Sequence, residues 1–335
     1  MHIDLPLIWA IIILFGIMMY VMMDGFDLGI GILYPFFNIK EDRDVMMNTI
    51  APVWDGNETW LVLGGAGLLA AFPLAYSVIL SAFYLPVISM LLALILRGVA
   101  FEFRFKALEH ERHFWDKSFI VGSFAATFFQ GVILGAYLQG IKVVDNQFAG
   151  GQLDWITPFS IFTGLGLLVT YSLLGVTWII MKTSGELQAK SYYLARILAF
   201  LLLAFILAVS VWTPLFNQAI AERWFTMPNM LWLSPIPLLV ACIFYKLQKA
   251  LTEKAHVSPF IYALLLVFLG YLGLGISIWP NIIPPDISLY MASSPPQSQS
   301  FALVGAVIII PLILLYTAWS YYVFRGKVSA DDHYH

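Results

Sequence analysis

Nine apolar stretches, each near or above the ~18 to 20 residues that cross a bilayer, run through this chain and limit what it can fold into. They fall at about 6–35, 50–72, 77–101, 118–140, 157–181, 192–213, 229–246, 258–280 and 301–324. Charge is scarce between them. Only 17 Lys and Arg and 20 Asp and Glu occur among 335 residues, 11% of the chain, whereas a soluble domain carries roughly a quarter. With 61% hydrophobic residues, a soluble globule of this size could not bury its apolar surface, so an α/β enzyme is excluded. The expected fold is all-α: a polytopic membrane protein of nine transmembrane helices. A net charge of −3 offers no basic stripe for phosphates, which argues against nucleic acid as a partner. Cys242 is the only cysteine, so no intrachain disulfide or cysteine-ligated cluster is expected. The first stretch lacks a basic n-region and a small-residue cleavage site and stays apolar past Gly31. It therefore reads as a membrane helix rather than a cleavable signal peptide.

Cytoplasmic loops collect Lys and Arg, which orients the chain. Fifteen of the 17 basic residues lie at or after the ends of odd-numbered helices, and only Lys142 and Arg223 lie on the other side. The N-terminus is thus expected outside and the C-terminus inside. The outer side is rich in Pro and in Trp155, Trp212, Trp224, Trp232 and Trp279, which read as an interfacial belt without chemistry. No soluble domain or internal repeat is legible. The whole of 1–335 reads as one membrane domain, with helices 1–4 and an acidic cluster in 1–140 and helices 5–8 in 141–280. An outer loop, helix 9 and a cytoplasmic tail occupy 281–335.

Six charges fall inside or at the rim of the expected spans: Asp24, Asp27, Asp55, Glu58, Arg97 and Glu102. All belong to the first three helices. Each ionisable group at membrane depth costs at least ~2.5 to 3.5 kcal/mol, so it should face protein or water and have a partner. At 1.5 Å rise per residue, Asp27 lies ~12 Å and Asp24 ~16 Å from an inner helix end near Pro35, while Asp55 lies ~8 Å and Glu58 ~12 Å inside an entrance near Ile50. Asp24 with Asp27, and Asp55 with Glu58, are i,i+3 pairs on one face of their helices. Four acids and one arginine cannot all stay ionised there, so at least one carboxyl is expected to hold a proton near neutral pH. Acids at successive depths fit a proton route from the cytoplasm; the bland reading is a structural network neutralised by Arg97. Glu102 reads equally well as an inner-loop residue. Gly25, Gly29, Gly31, Gly56, Gly64, Gly65 and Gly67 suit close helix packing around these groups.

A haem in a membrane bundle needs inward axial ligands. His2, His110, His113, His256, His333 and His335 all fall outside the expected spans, and Met18, Met19, Met22, Met23 and Met90 read as packing. The chain is therefore expected to ligate no haem or metal itself. His110 and His113, an i,i+3 pair in a charged loop, make a weak metal signal that a solvated helix face explains better.

The run Asp24-Gly25-Phe26-Asp27-Leu28-Gly29, the element from Ala51 to Trp60 with its Trp54-Asp55-Gly56-Asn57-Glu58-Thr59-Trp60 core, the Arg97–Lys106 stretch and the ending Pro311–Trp319 together resemble subunit II of the cytochrome bd-type quinol oxidases. The likeness spans nearly the whole chain. It implies two four-helix bundles plus a peripheral helix, and a haem-free obligate partner for a subunit I that holds b-type and d-type haems, oxidises quinol and reduces dioxygen to water. It also implies proton uptake from the cytoplasm between the two large subunits through Asp55 and Glu102, with a less secure part for Asp24 and Asp27; Glu58 joins the expected route by its depth alone. Some members add a single-helix subunit, and some hold a structural quinone in subunit II; the short outer loops resemble the cyanide-insensitive variants. Such a complex sits in the bacterial inner membrane, draws on the quinol pool and builds a proton-motive force without pumping. Two other readings compete: a proton-coupled secondary transporter, which would favour acids in both halves of the chain, and a purely structural assembly subunit.

Overall fold

The computed structural model describes residues 4–329; His2, His333 and His335 lie outside the described residues. Helix α1 (Leu5–Leu33) opens with Asp4 accepting from Leu7 N and runs into a 3-10 turn at Tyr34–Phe36. There follow α2 (Lys40–Asn48), α3 (Trp54–Ala71), α4 (Pro73–Ala82), α5 (Tyr84–Lys106), α6 (Arg112–Gln139), α7 (Pro158–Lys182) and α8 (Gly185–Phe216). The chain continues through α9 (Gln218–Phe225), α10 (Asn229–Leu233), α11 (Pro235–Thr252), α12 (Ser258–Ile278), α13 (Leu289–Ala292) and α14 (Pro296–Val323). Two small antiparallel hairpins, Val143–Val144 with Gln147–Phe148 and Asn281–Ile283 with Ile287–Ser288, occupy the connections before α7 and before α13.

Eight of these segments among the described residues are long and apolar enough to cross a membrane, with α10 and α11 counted together. The second expected stretch, 50–72, forms α3, which is 18 residues long but carries Asp55, Asn57 and Glu58 in its first turns and is too polar to qualify by composition. Two other expected stretches are interrupted. The third splits at Phe83 into α4 and α5, with Pro86 in the first turn of α5, and the seventh splits at Ser234 ahead of Pro235. Proline lacks the N–H that would continue a helix ladder and is tolerated in a first turn, so each break sits where the sequence permits one. Helix α8 is longer than the expected 192–213 stretch at both ends.

Helix α1 is the hub, packed against α3, α6, α7, α12 and α14. Its glycines permit that position. A Cβ at Gly29 would stand 1.9 Å from Tyr171 O of α7, and one at Gly175 would stand 2.7 Å from the Gly29 carbonyl carbon. The two backbones therefore touch, as small residues allow in membrane bundles. Gly29→Ala is expected to force α1 and α7 apart and to lower the thermal midpoint of the protein, at a cost of about 1 to 3 kcal/mol or more. Gly270→Ala, where a Cβ meets nothing within 4 Å, should leave it unchanged. Equal midpoints for the two variants would contradict this packing.

Helix α2 has no counterpart among the expected elements. It buries Val45, Met46 and Met47 and is clasped by charge: Arg104 of α5, 2% exposed, binds Asp116 of α6 at 2.5 Å and Asp44 of α2 at 2.6 Å. Arg43 reaches Asp116 at 3.5 Å and donates to Phe37 O, while Tyr34 donates to Arg43 O. Lys40 bonds Glu109 at 2.7 Å, and that bond with its positive charge holds the Glu109 carboxyl below its ordinary range. Read from sequence, Arg43 and Arg104 serve only as topology markers; in the fold they fasten α2 across the end of the bundle.

Candidate functional site

The sequence places Asp24 and Asp27 on one face of α1, and packing turns that face inward. Both are fully buried. Opposite them, α5 projects Arg97 and α3 projects Asn57 and Glu58. Arg97 Nη1 donates to Glu58 Oε1 at 2.7 Å and to Asp24 Oδ1 at 3.2 Å, and its Nη2 lies 4.0 Å from Asp27 Oδ2. Its guanidinium carbon sits 5.8 Å from the Trp54 ring centroid. Asn57 Nδ2 donates to Asp27 Oδ2 at 2.7 Å, and Asn57 Oδ1 accepts from Tyr321 of α14 at 3.0 Å. One buried guanidinium therefore faces three carboxyls, of which only Glu58, with 29% of its side chain exposed, reaches the surface of the chain.

Arg97 cannot satisfy the group alone. Asp24 Oδ2, Asp27 Oδ1, Arg97 Nε and Nη2, and Ser123 Oγ and Thr127 Oγ1 of α6 are buried without a hydrogen-bond partner among the described residues. Buried polar groups in such positions are ordinarily satisfied by internal water, so the surroundings of the cluster are chemically suited to hold it. A further string of neutral groups adjoins: Tyr171 donates to Gln130 Oε1 at 3.0 Å and Gln130 Nε2 donates to Tyr20 at 2.8 Å. Tyr20 lies one turn before Asp24 on α1.

Asp55 and Glu102 stand apart from this cluster. Asp55 is exposed in the first turn of α3, where the helix dipole favours a carboxylate. Glu102 is exposed five residues beyond Arg97 on α5 and pairs with Lys106 at 3.9 Å. Of the six charges expected in one layer, four are brought together and these two lie on the outer faces of α3 and α5. The remaining motif residues shape that corner. Trp54 packs beside Gly98 with its ring 5.2 Å from Phe101, Trp60 is buried edge-on to Phe15, and Gly56 lies against Tyr316 of α14.

The described histidines lie elsewhere. His110 and His113 are exposed at the α5–α6 turn and the start of α6, and His256 Nδ1, in the α11–α12 turn, is 2.9 Å from Gln188 Nε2. This donor set does not fit an axial haem site. Among the described residues no three His, Cys, Asp or Glu side chains are grouped so as to hold a metal ion.

Sequence reasoning missed Tyr20, Gln130, Tyr171, Tyr321, Ser123 and Thr127. Tyr20 carried a signal, its i,i+4 spacing from Asp24, and Gln130 was a lone amide in an apolar run. Tyr171 and Tyr321 join the string of groups around the cluster through tertiary packing alone, and no spacing marks Ser123 or Thr127.

The family described as "Cytochrome bd terminal oxidase subunit II" matches residues 5–324. Over 98% of its length the chain is 29% identical to cytochrome bd-I ubiquinol oxidase subunit 2 of Escherichia coli strain K12 and 30% identical to a probable cytochrome oxidase subunit 2 of Haemophilus influenzae, covering 96% of each. It is 29% identical to cytochrome bd ubiquinol oxidase subunit 2 of Bacillus subtilis, with 97% of both chains covered. Among solved structures, a chain of the bd oxidase from Geobacillus thermodenitrificans superposes with a TM-score of 0.77 over 96% of this chain and 97% of its own, at 17% identity, which bears on the fold alone. By the extent of that family match, the chain is a member of the cytochrome bd terminal oxidase subunit II family.

Proposed function

We propose that this chain is the haem-free subunit II of a quinol:oxygen oxidoreductase in the bacterial inner membrane, where it braces the haem-bearing subunit I and admits protons from the cytoplasm. The observation that carries this reading is the buried Asp24–Arg97–Glu58–Asp27 group, open to the surface of the chain through Glu58. A purely apolar scaffold would have no need of it. With α3 as a ninth span, the N-terminus lies outside and the basic residues gather at the cytoplasmic end.

Quinol oxidation and dioxygen reduction belong to the b- and d-type haems of the partner subunit. This chain's share is protonic. Asp55, exposed where α3 begins, takes protons from the aqueous side. Glu58, one turn deeper by ~4.5 Å, faces both that surface and Arg97. Glu102, exposed on α5 and paired with Lys106, is the second acid offered to the aqueous side. The buried acids share one cation, so a proton added at Glu58 changes the charge balance felt by Asp24 and Asp27. Because protons consumed on the partner come from one side only, turnover builds a proton-motive force without a pump.

The exposed sides of α3 and α5 form the surface offered to subunit I. Asp55, Val62, Leu69, Ile88, Leu92 and Ile95 are all exposed there. A structural quinone and a single-helix subunit are further family partners for which no residue of this chain is assigned. The assembly-only reading keeps one observation in its favour, since Arg97 bridges three helices through ion pairs whether or not protons move.

Purification of the tagged chain from its native membrane separates the oxidase from a transporter. The expected result is a complex with a haem-bearing partner absorbing in the red. A colourless, haem-free preparation would contradict the reading.

A further inference from the structure

A cavity of about 140 Å³ opens at the basic end of the bundle, between the turn that joins α2 to α3, the end of α7 and the end of α14. It is well above the ~10 to 15 Å³ that one water needs on this measure. Its walls include Thr49, Pro52, Trp178, Lys182, Tyr321 and Arg325, and no carboxylate lines it.

The wall groups supply donors in excess of acceptors. Lys182, 5% exposed, donates to Phe324 O and Gly326 O. An ammonium has three donors, so one is left. Arg325 Nη1 donates to Tyr322 O, leaving most of its guanidinium fork unused. Trp178, 3% exposed and stacked on Phe26 at 4.2 Å, contributes an aromatic wall. Lys182 Nζ sits 5.2 Å over the same indole. Thr49 and Tyr321 spend their hydroxyl protons on Met46 O and Asn57 Oδ1, and their oxygens remain acceptors for at most a protonated ligand. Two cations around a space without acids select an anion that accepts several hydrogen bonds.

We infer that this cavity binds a phosphate group, and that at the membrane surface its source is the headgroup of an anionic phospholipid. The location favours the lipid over the free ion. The cavity lies where α7 and α14 reach the membrane boundary, and α14 beside it is exposed along most of its length, including Leu312, Leu315 and Trp319, which suits acyl chains. Basic pockets between membrane helices on the cytoplasmic side recognise phospholipid headgroups in this manner. The site would also fasten the tail after α14, since Lys182 already holds that segment through Phe324 O, Gly326 O and its own carbonyl, which accepts from Val328 N.

The test uses the intact complex in neutral detergent, titrated with dioleoyl phosphatidylglycerol or dioleoyl phosphatidylcholine, with bound lipid counted by native mass spectrometry. Wild type should retain phosphatidylglycerol in preference to phosphatidylcholine. Arg325→Gln should weaken that preference about fivefold, from ~1 kcal/mol per basic group. Arg325→Glu reverses the charge on the wall and should abolish the preference. Lys182 is left intact because it holds the backbone. Loss of the bound lipid to millimolar inorganic phosphate would support phosphate recognition with the free ion as source; retention against phosphate would support the lipid. Equal binding of both lipids by wild type, or undiminished phosphatidylglycerol binding by Arg325→Glu in a folded complex, would overturn the inference.

Discussion

Arg97→Gln is expected to empty the membrane of assembled oxidase. The guanidinium is 1% exposed and is the cation shared by Asp24, Glu58 and Asp27, so its removal leaves three carboxyls crowded around a neutral amide. Stripping one partner from a buried ion pair costs about 3 to 5 kcal/mol, a large part of the stability of an ordinary domain. The haem spectrum of solubilised membranes measures the amount of complex, and it should fall several-fold. Adding Asp24→Asn to Arg97→Gln removes one stranded charge and should restore part of the yield. Single and double variants with equal yields would mean that Arg97 acts on something other than these acids.

Asp55→Asn is expected to behave in the opposite way, assembling normally and turning over slowly. Asp55 is exposed in the chain and pairs with no cation among the described residues, so an amide of the same shape should change stability by only about 0.5 kcal/mol. An amide cannot carry a titrating proton. Oxygen consumption with quinol should drop by about tenfold or more, equivalent to ~1.4 kcal/mol or more on the barrier, with the haem spectrum intact. Glu102→Gln, which removes the carboxyl paired with Lys106, should reproduce the effect. Loss of the complex rather than of turnover in these variants would favour the assembly-only reading.

These two opposite outcomes follow from a distinction that sequence spacing could not make. The i,i+3 rule puts Asp24 with Asp27 and Asp55 with Glu58, and rise per residue gives their depth. Neither says which way a helix is turned about its axis. That rotation depends on neighbours: α3 meets α1 through Asn57 and Trp60 and so turns Asp55 outward, with Glu58 left at the edge. Gly29 was legible as a packing residue, but its partner Gly175, more than a hundred residues away, was not. The Arg104–Asp116 clasp escaped for a different reason. Membrane-end arginines are statistically topology signals, and only the fold reveals that one of them is buried against α2. The helical architecture was legible because long apolar runs have few alternatives in a bilayer. The exception is α2, a nine-residue helix too short to span, whose first five residues are all charged and which no apolar run marks.

The central claim is that carboxyls of this chain deliver protons to chemistry on its neighbour. The most direct measurement reconstitutes the complex in liposomes and follows, after mixing the reduced enzyme with oxygen, proton uptake from the side bearing the basic residues alongside haem oxidation. In an assembled Asp55→Asn, Glu58→Gln variant, uptake and the haem steps that require protons should slow together, while haem reduction by quinol keeps the wild-type rate. Proton uptake at the wild-type rate in that variant would contradict the claim.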